Sequence, residues 1–410
     1  MAFPSPGMPL LSDQPLPMTM DSRRLAMFCG GYIGPLSSNA VLAMVPVLKA
    51  EFGAGAEEVL LAVTFYMLPF ALFNLVSGTV SDIHGRRKVL AFGFLLYALS
   101  NVLCALSPNL LAFYLCRSMQ GIGYAFVNPV LMAVLGDITP TEERGRTMGY
   151  FGAFTTAGIA TGPMIAGFLI PYGWRWTFVL VAALALGVDV WIRAVCPAVQ
   201  PDTEAFRHLE ENMGAAVRTR GVAALCLMGF LTFLCYMGAL GFLSDHLSLP
   251  PLSLEERTIG VMVGMSGVAG IVAAPIGGRL VDARGRTRTA VIGFLVMALA
   301  LAFLYLSRGA LQFALSLLVL GTGTAFIWTA LLTLAVEIVP KLKGTVSSIF
   351  NSARFFGYSL APLLFAPIYS FQGFGTVLLV GLGLTALALL VVRLLAAQLS
   401  PSHSASTRSS

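Results

Sequence analysis

Apolar runs of about 20 or more residues recur along this chain from Leu25 to Leu395, separated by short polar connections. At about 1.5 Å of rise per helical residue, each run is long enough to cross a hydrocarbon layer about 30 Å thick. In such a layer every backbone N–H and C=O must be satisfied within its own segment, which selects the helix. Composition agrees: the chain is 57% hydrophobic and 11% charged, with a mean hydropathy of +0.84. That is too little charge to cover the water-facing surface of a soluble protein of 410 residues.

The expected fold is therefore all-α and membrane-embedded, with twelve transmembrane helices. Spans are expected at 25–48, 58–82, 88–107, 110–136, 144–170 and 174–196. A second set is expected at 221–246, 257–282, 288–307, 311–337, 343–370 and 373–397. The polar stretch 197–220 divides them into two six-helix bundles, 25–196 and 221–397. The Pro-rich segment 1–24 and the Ser-rich segment 398–410 read as disordered cytoplasmic tails. The first 20 residues hold five prolines and no basic segment followed by an apolar core, so no cleavable signal peptide is expected.

The net charge of +6 is not a nucleic-acid footprint, because its distribution follows the membrane. With a cytoplasmic N-terminus, nineteen of the 25 Lys and Arg fall on the cytoplasmic side. Four, Lys49, Arg175, Arg257 and Arg308, fall on the other, and Arg117 and Arg354 lie inside spans. This asymmetry places both termini in the cytoplasm of an inner-membrane protein. The six cysteines lie in apolar runs without CxxC spacing and read as small buried hydrophobes. No metal or cofactor is expected, and His84, His208, His246 and His403 form no catalytic cluster.

The two bundles repeat at an offset of 200 residues. Gly78, Asp82, Gly85 and Arg86 recur as Gly278, Asp282, Gly285 and Arg286. Gly121-Ile122-Gly123 with Ala125-Phe126 recurs as Gly321-Thr322-Gly323 with Ala325-Phe326, and Asp137-Ile138 with Pro140 as Glu337-Ile338 with Pro340. Parallel pseudo-symmetric halves around an axis along the membrane normal form a transporter architecture, with the substrate site between them near mid-depth. A rocking motion of the halves follows, with spans one, four, seven and ten lining the cavity.

Asp82 and Arg86 stand at the cytoplasmic end of the second span, within reach of Asp137; Asp282, Arg286 and Glu337 are their equivalents. Arginine–acid pairs here are expected to form when the cytoplasmic side closes and to break when it opens, as a latch on the outward-open state. Gly152, Gly158, Gly162 and Gly167 in the fifth span permit helix contact at backbone distance, and Pro163 removes one helical hydrogen bond.

These segments resemble signatures of the major facilitator superfamily. Residues 78–88 resemble its loop motif between the second and third spans, and the likeness extends over all twelve spans and the degenerate second copy. Arg117-Ser118-Met119-Gln120-Gly121-Ile122-Gly123 is similar to the fourth-span motif of proton-coupled members. Residues 152–167 resemble the glycine-rich fifth-span motif of antiporters, although Ala166 replaces one glycine of it. Trp174-Arg175-Trp176 is similar to a segment of twelve-span drug:proton antiporters. The resemblance implies an exporter of a small organic molecule driven by protons, and an importer or facilitator on the same fold is the alternative. A monomer is the default for this fold.

Charges inside a membrane are costly and mark function. Arg117 has no counterpart in the repeat, Leu317 standing in its place, and is expected to serve coupling or substrate binding together with Gln120. Arg354, near mid-depth of the eleventh span, reads as a second anion contact. Asp189 is the one acid assigned to the interior of a span, as a coupling candidate or as a partner of Arg193 one turn on. Tyr32, Asn39, Asn128 and Trp328 are candidate cavity-lining groups. The first span has no acid, and two interior arginines favour a neutral or anionic substrate over a lipophilic cation.

Overall fold

The computed structural model describes residues 21–195, 214, 219–339 and 343–399, so most of the linker and of both tails lies outside the described residues. In the first bundle α1 (Ser22–Phe52), α2 (Ala56–His84) and α3 (Arg86–Ala105) are single helices. The fourth span is two pieces, α4 (Leu110–Ala125) and α5 (Asn128–Ile138), because Pro129 in the first turn of α5 has no N–H to continue the ladder. Its counterpart in the repeat is Thr329, and that span stays whole. The bundle closes with α6 (Arg144–Leu169) and α7 (Arg175–Val195).

The second bundle holds α8 (Arg220–Ser248), α9 (Glu256–Arg284), α10 (Arg286–Leu306) and α11 (Ala310–Glu337). Its last 57 residues run as α12 (Lys343–Leu399), which Gly373 breaks into two spans at φ 79°. Gly173 stands at the equivalent turn of the first bundle, at φ 118°. Likewise Gly85 and Gly285, the repeated glycines of the motif, turn α2 into α3 and α9 into α10 at φ 87° and 83°. Only glycine adopts these left-handed values without strain, so the repeat of sequence is a repeat of turn geometry.

In the first bundle α1 packs on α6 and α7, α2 on α4, and α3 on α4 and α7. In the second, α8 packs on α12, α9 on α11, and α10 on α11 and α12. The bundles meet along α6 against α9 and α2 against α12. Leu95, Leu99, Leu111, Val272, Leu295 and Leu299 are exposed on the outer faces. A band of large apolar side chains on the outside is what a helix bundle presents to lipid.

Candidate functional site

The helix ends carrying Arg86 and Arg286 form one end of the molecule, here called the basic end; Lys49, Arg175 and Arg257 mark the far end. Contacts between the two bundles run from the far end to mid-depth. At the far end Lys49 of α1 pairs with Asp245 of α8, whose other carboxylate oxygen accepts a hydrogen bond from Tyr369 at 2.6 Å. Arg257 lies 4.3 Å over the Phe168 ring. Deeper, the Thr64 hydroxyl donates to the Ser359 carbonyl at 2.6 Å, and the Tyr358 hydroxyl donates to Asn39 Oδ1 at 2.6 Å. At mid-depth the Phe70 and Phe355 rings meet edge to face at 4.6 Å.

Alongside, α6 and α9 touch backbone to backbone. A Cβ built on Gly264 would stand 2.5 Å from the Ala160 carbonyl oxygen, and one on Gly267 2.6 Å from Ala160 Cα. Gly260 fits against Pro163 in the same way, and Gly167 against Glu256. Toward mid-depth a Cβ on Gly270 would stand 3.8 Å from Thr156, while Cβ atoms on Gly149, Gly152 and Gly278 would meet nothing within 4 Å. The backbone-distance glycine contacts between α6 and α9 lie in the far half of the seam.

The fifth-span glycines thus divide into two jobs. Gly158 and Gly162 seat α6 on Tyr32 and Leu36 of α1, inside the first bundle. Pro163 and Gly167 face α9 across the seam. Tyr32 shares a 2.7 Å hydrogen bond with Thr161, again joining α1 to α6.

Arg117 is fully buried, and it lies beside Ser38, next to the Asn39 that Tyr358 reaches across the seam. Its Nε donates to the Ala62 carbonyl at 3.2 Å, one Nη to Gln120 Oε1 at 2.7 Å and the other to the Ser38 carbonyl at 3.5 Å. The guanidinium also lies 4.4 Å from the Tyr66 ring centroid. It ties α1, α2 and α4 together with no carboxylate, through three of its five N–H donors.

Arg354 differs. Its guanidinium stacks 4.1 Å from Trp328, 4.1 Å from Phe355 and 4.9 Å from Phe233. These rings come from α11, α12 and α8, and Phe355 is the ring that meets Phe70 across the seam. Arg354 has no ion-pair partner among the described residues, and its Nε makes no hydrogen bond among them. Stacking leaves the in-plane N–H edge of a guanidinium available to a planar anion. Asn128 and Trp328, equivalent in the repeat, are both half-buried.

The expected arginine–acid pairs are made: Arg86 with Asp137 and, at 3.5 Å, Asp82; Arg286 with Glu337. Both partners of each of these pairs belong to one bundle. These three contacts brace the basic end of each bundle. Asp282 is exposed at the end of α9. Asp189 is buried and pairs with Arg193 at 2.7 Å on α7, a helix packed on α1 and α3 away from the seam. The pairing with Arg193, one of the two expected readings of Asp189, is present.

Two features escaped the sequence reading. Lys49 and Asp245 are 196 residues apart, and each sits near a helix end where a charge draws no notice. The α9 glycines were legible in principle: Gly260, Gly264 and Gly267 recur at helical spacing, the mark of a close helix contact.

A family model described as Major Facilitator Superfamily matches residues 27–362 and 225–409. The chain is 26% identical over 351 residues to the uncharacterized MFS-type transporter YceJ of Bacillus subtilis, covering 82% of this chain and 86% of that protein. It is 25% identical over 354 residues to Multidrug resistance protein 2 of the same organism, covering 78% and 84%. It is 30% identical over 206 residues to the Multidrug resistance protein B homolog of Mycobacterium tuberculosis, covering 50% of this chain but 37% of that protein. Among solved structures, the nucleoside transporter NupG superposes with a TM-score of 0.77 at 13% identity, over 91% of this chain and 99% of that one. The xylose transporter XylE from E. coli, in an inward-open conformation, gives 0.74 at 18% identity over 91% and 95%.

Proposed function

The chain belongs to the Major Facilitator Superfamily of membrane transporters, and from that premise we propose that it exports a small organic molecule across the inner membrane by proton antiport, through alternating access. Relatives named as multidrug resistance proteins support the direction. The observation that carries the reading is the arrangement around the seam: a single barrier at the far end, and beneath it an arginine stacked among aromatic rings at the meeting of the bundles. The excess of Lys and Arg at the basic end supports a cytoplasmic location for it, so the open end faces the cytoplasm.

On this reading the substrate enters from the cytoplasm and rests against Arg354, with Trp328, Phe233 and Phe355 around it. A charge of this kind, desolvated and without a fixed carboxylate, favours a substrate bearing an anionic or strongly accepting group. The bundles then rock about the α6–α9 and α2–α12 contacts. The far-end seal opens, and the Arg86 and Arg286 pairs keep each bundle rigid while it moves. Protons supply the energy, and the substrate remains a small molecule without nucleic-acid or cofactor requirements.

Purified protein in liposomes with an imposed pH gradient tests this. Anionic, neutral and cationic compounds are added in turn while lumenal pH is followed. The expected result is proton release on addition of an anionic or neutral compound, abolished for the anionic compounds by Arg354→Gln. Solute movement with no proton signal would remove the antiport assignment.

A further inference from the structure

The loop that repeats between the bundles is not electrostatically equal in its two copies. In the second copy, Arg284, Arg288 and Arg393 line an open cavity of about 600 Å³ at the basic end, with Thr287 and with Val291 and Ile292 as its apolar wall. None of the three arginines makes an ion pair among the described residues. The one acid lining the adjoining cavity on the other side of the loop, Glu337, is already paired with Arg286.

The same positions in the first copy are His84, Lys88 and Arg193. There His84 lies 3.1 Å from the Val80 carbonyl through Nδ1, and Arg193 is neutralised by Asp189 at 2.7 Å. The residue equivalent to Asp189 is Leu389, so Arg393 has no built-in counter-ion. Phe92 stands where the second copy has Ile292. Three arginines therefore converge in one copy only, and the acid that would have compensated them is absent from it.

Two further features point to an anion. The first turn of α10 carries Arg286 and Arg288 and no acid, and its start has no side-chain cap. Cations at a helix N-terminus oppose its dipole, and free N–H groups there attract negative charge. The cavity also opens where spans α9, α10 and α12 reach the end of the membrane, with a cationic rim above apolar side chains.

We propose that this cavity is a binding site for the phosphate headgroup of an anionic phospholipid. Arg284, Arg288 and Arg393 take the phosphate, Thr287 offers a hydroxyl, and Val291 and Ile292 receive the start of an acyl chain. The chemistry recognised is a phosphate monoanion or diester. The apolar wall and the position at the membrane edge assign it to a lipid over a soluble phosphate.

The full chain, purified in detergent, is titrated with phosphatidylglycerol, cardiolipin or phosphatidylcholine and read by native mass spectrometry. Wild type is expected to retain the two anionic lipids in preference to phosphatidylcholine. The R284Q/R288Q/R393Q variant is expected to hold them about a hundredfold more weakly, the product of three contacts each worth about fivefold. An R87Q/K88Q variant, which removes exposed charge from the first copy, is expected to bind as wild type does. Equal retention by the triple variant, or equal loss in both variants, would overturn the site. A further arm measures thermal unfolding with inorganic phosphate in place of lipid. A stabilisation by phosphate that the triple variant loses, without retention of lipid by wild type, would reassign the cavity to a soluble anion and overturn the lipid proposal.

Discussion

Replacing Lys49 by Met should loosen the far-end seal, and the structure sets the scale of the effect. Asp245 is a nearly fully buried carboxylate, its side chain 3% exposed, while Lys49 is 28% exposed. Without Lys49 the carboxylate keeps, among the described residues, the Tyr369 hydroxyl as its side-chain donor. Removing one partner of a fully buried pair costs about 3–5 kcal/mol. The partial exposure of Lys49 brings this down to about 2 kcal/mol, which is about thirtyfold in the ratio of far-end-open to far-end-closed molecules. The assay is the rate at which a membrane-impermeant maleimide, added from the far side, labels a cysteine placed at Leu60 in a cysteine-free background. Leu60 is buried in the seam against Gly241, so labelling reports opening. The expected rate in K49M is about thirtyfold higher, as the equilibrium constant dictates. The K49D/D245K exchange should restore part of the protection. An unchanged rate in K49M would mean that the pair does not hold the seal, and the reasoning from burial would fail.

Other substitutions separate seam from scaffold. Gly267→Ala places a methyl on Ala160 across the seam and should raise the same labelling rate, with a smaller effect on thermal unfolding than Gly162→Ala, which wedges α6 off α1 inside one bundle. Arg117→Gln should lower thermal stability, by about 3 kcal/mol for the lost volume and the hydrogen bonds left unmade; transport per folded molecule is the comparison that detects any role beyond packing. Arg86→Ala removes partly exposed pairs within one bundle worth about 1 kcal/mol, so Leu60-site labelling should stay at the wild-type rate. A large fall there would support a latch on the outward-open state.

Much of this architecture was legible because it repeats or is periodic. The spans follow from apolar length, and the turns at Gly85 and Gly285 follow from a glycine that recurs 200 residues on with the same left-handed backbone. The Arg86–Asp137 pair could be anticipated, and the repeat extended it to Arg286–Glu337 at the same separation of 51 residues. Asp189 and Arg193, one helical turn apart, announce each other. The misses share another cause. Arg117 is held largely by main-chain carbonyls, which carry no signature in the side-chain sequence. Lys49 and Asp245 come from different bundles, and nothing local links them. How each interior arginine is held depends on helix rotation within a bundle: Arg117 is held by polar groups of α1, α2 and α4, while Arg354 is held among aromatic rings.

Alternating access requires that only one end of the seam be open at a time. The most direct test attaches spin-label pairs across the bundles, one pair at the far end and one at the basic end, in the protein reconstituted in lipid. Distances are measured with and without substrate and at two pH values. The account predicts opposite changes: when the far-end distance lengthens, the basic-end distance shortens. Two distances that lengthen together, or a far end that never opens under any condition, would contradict it.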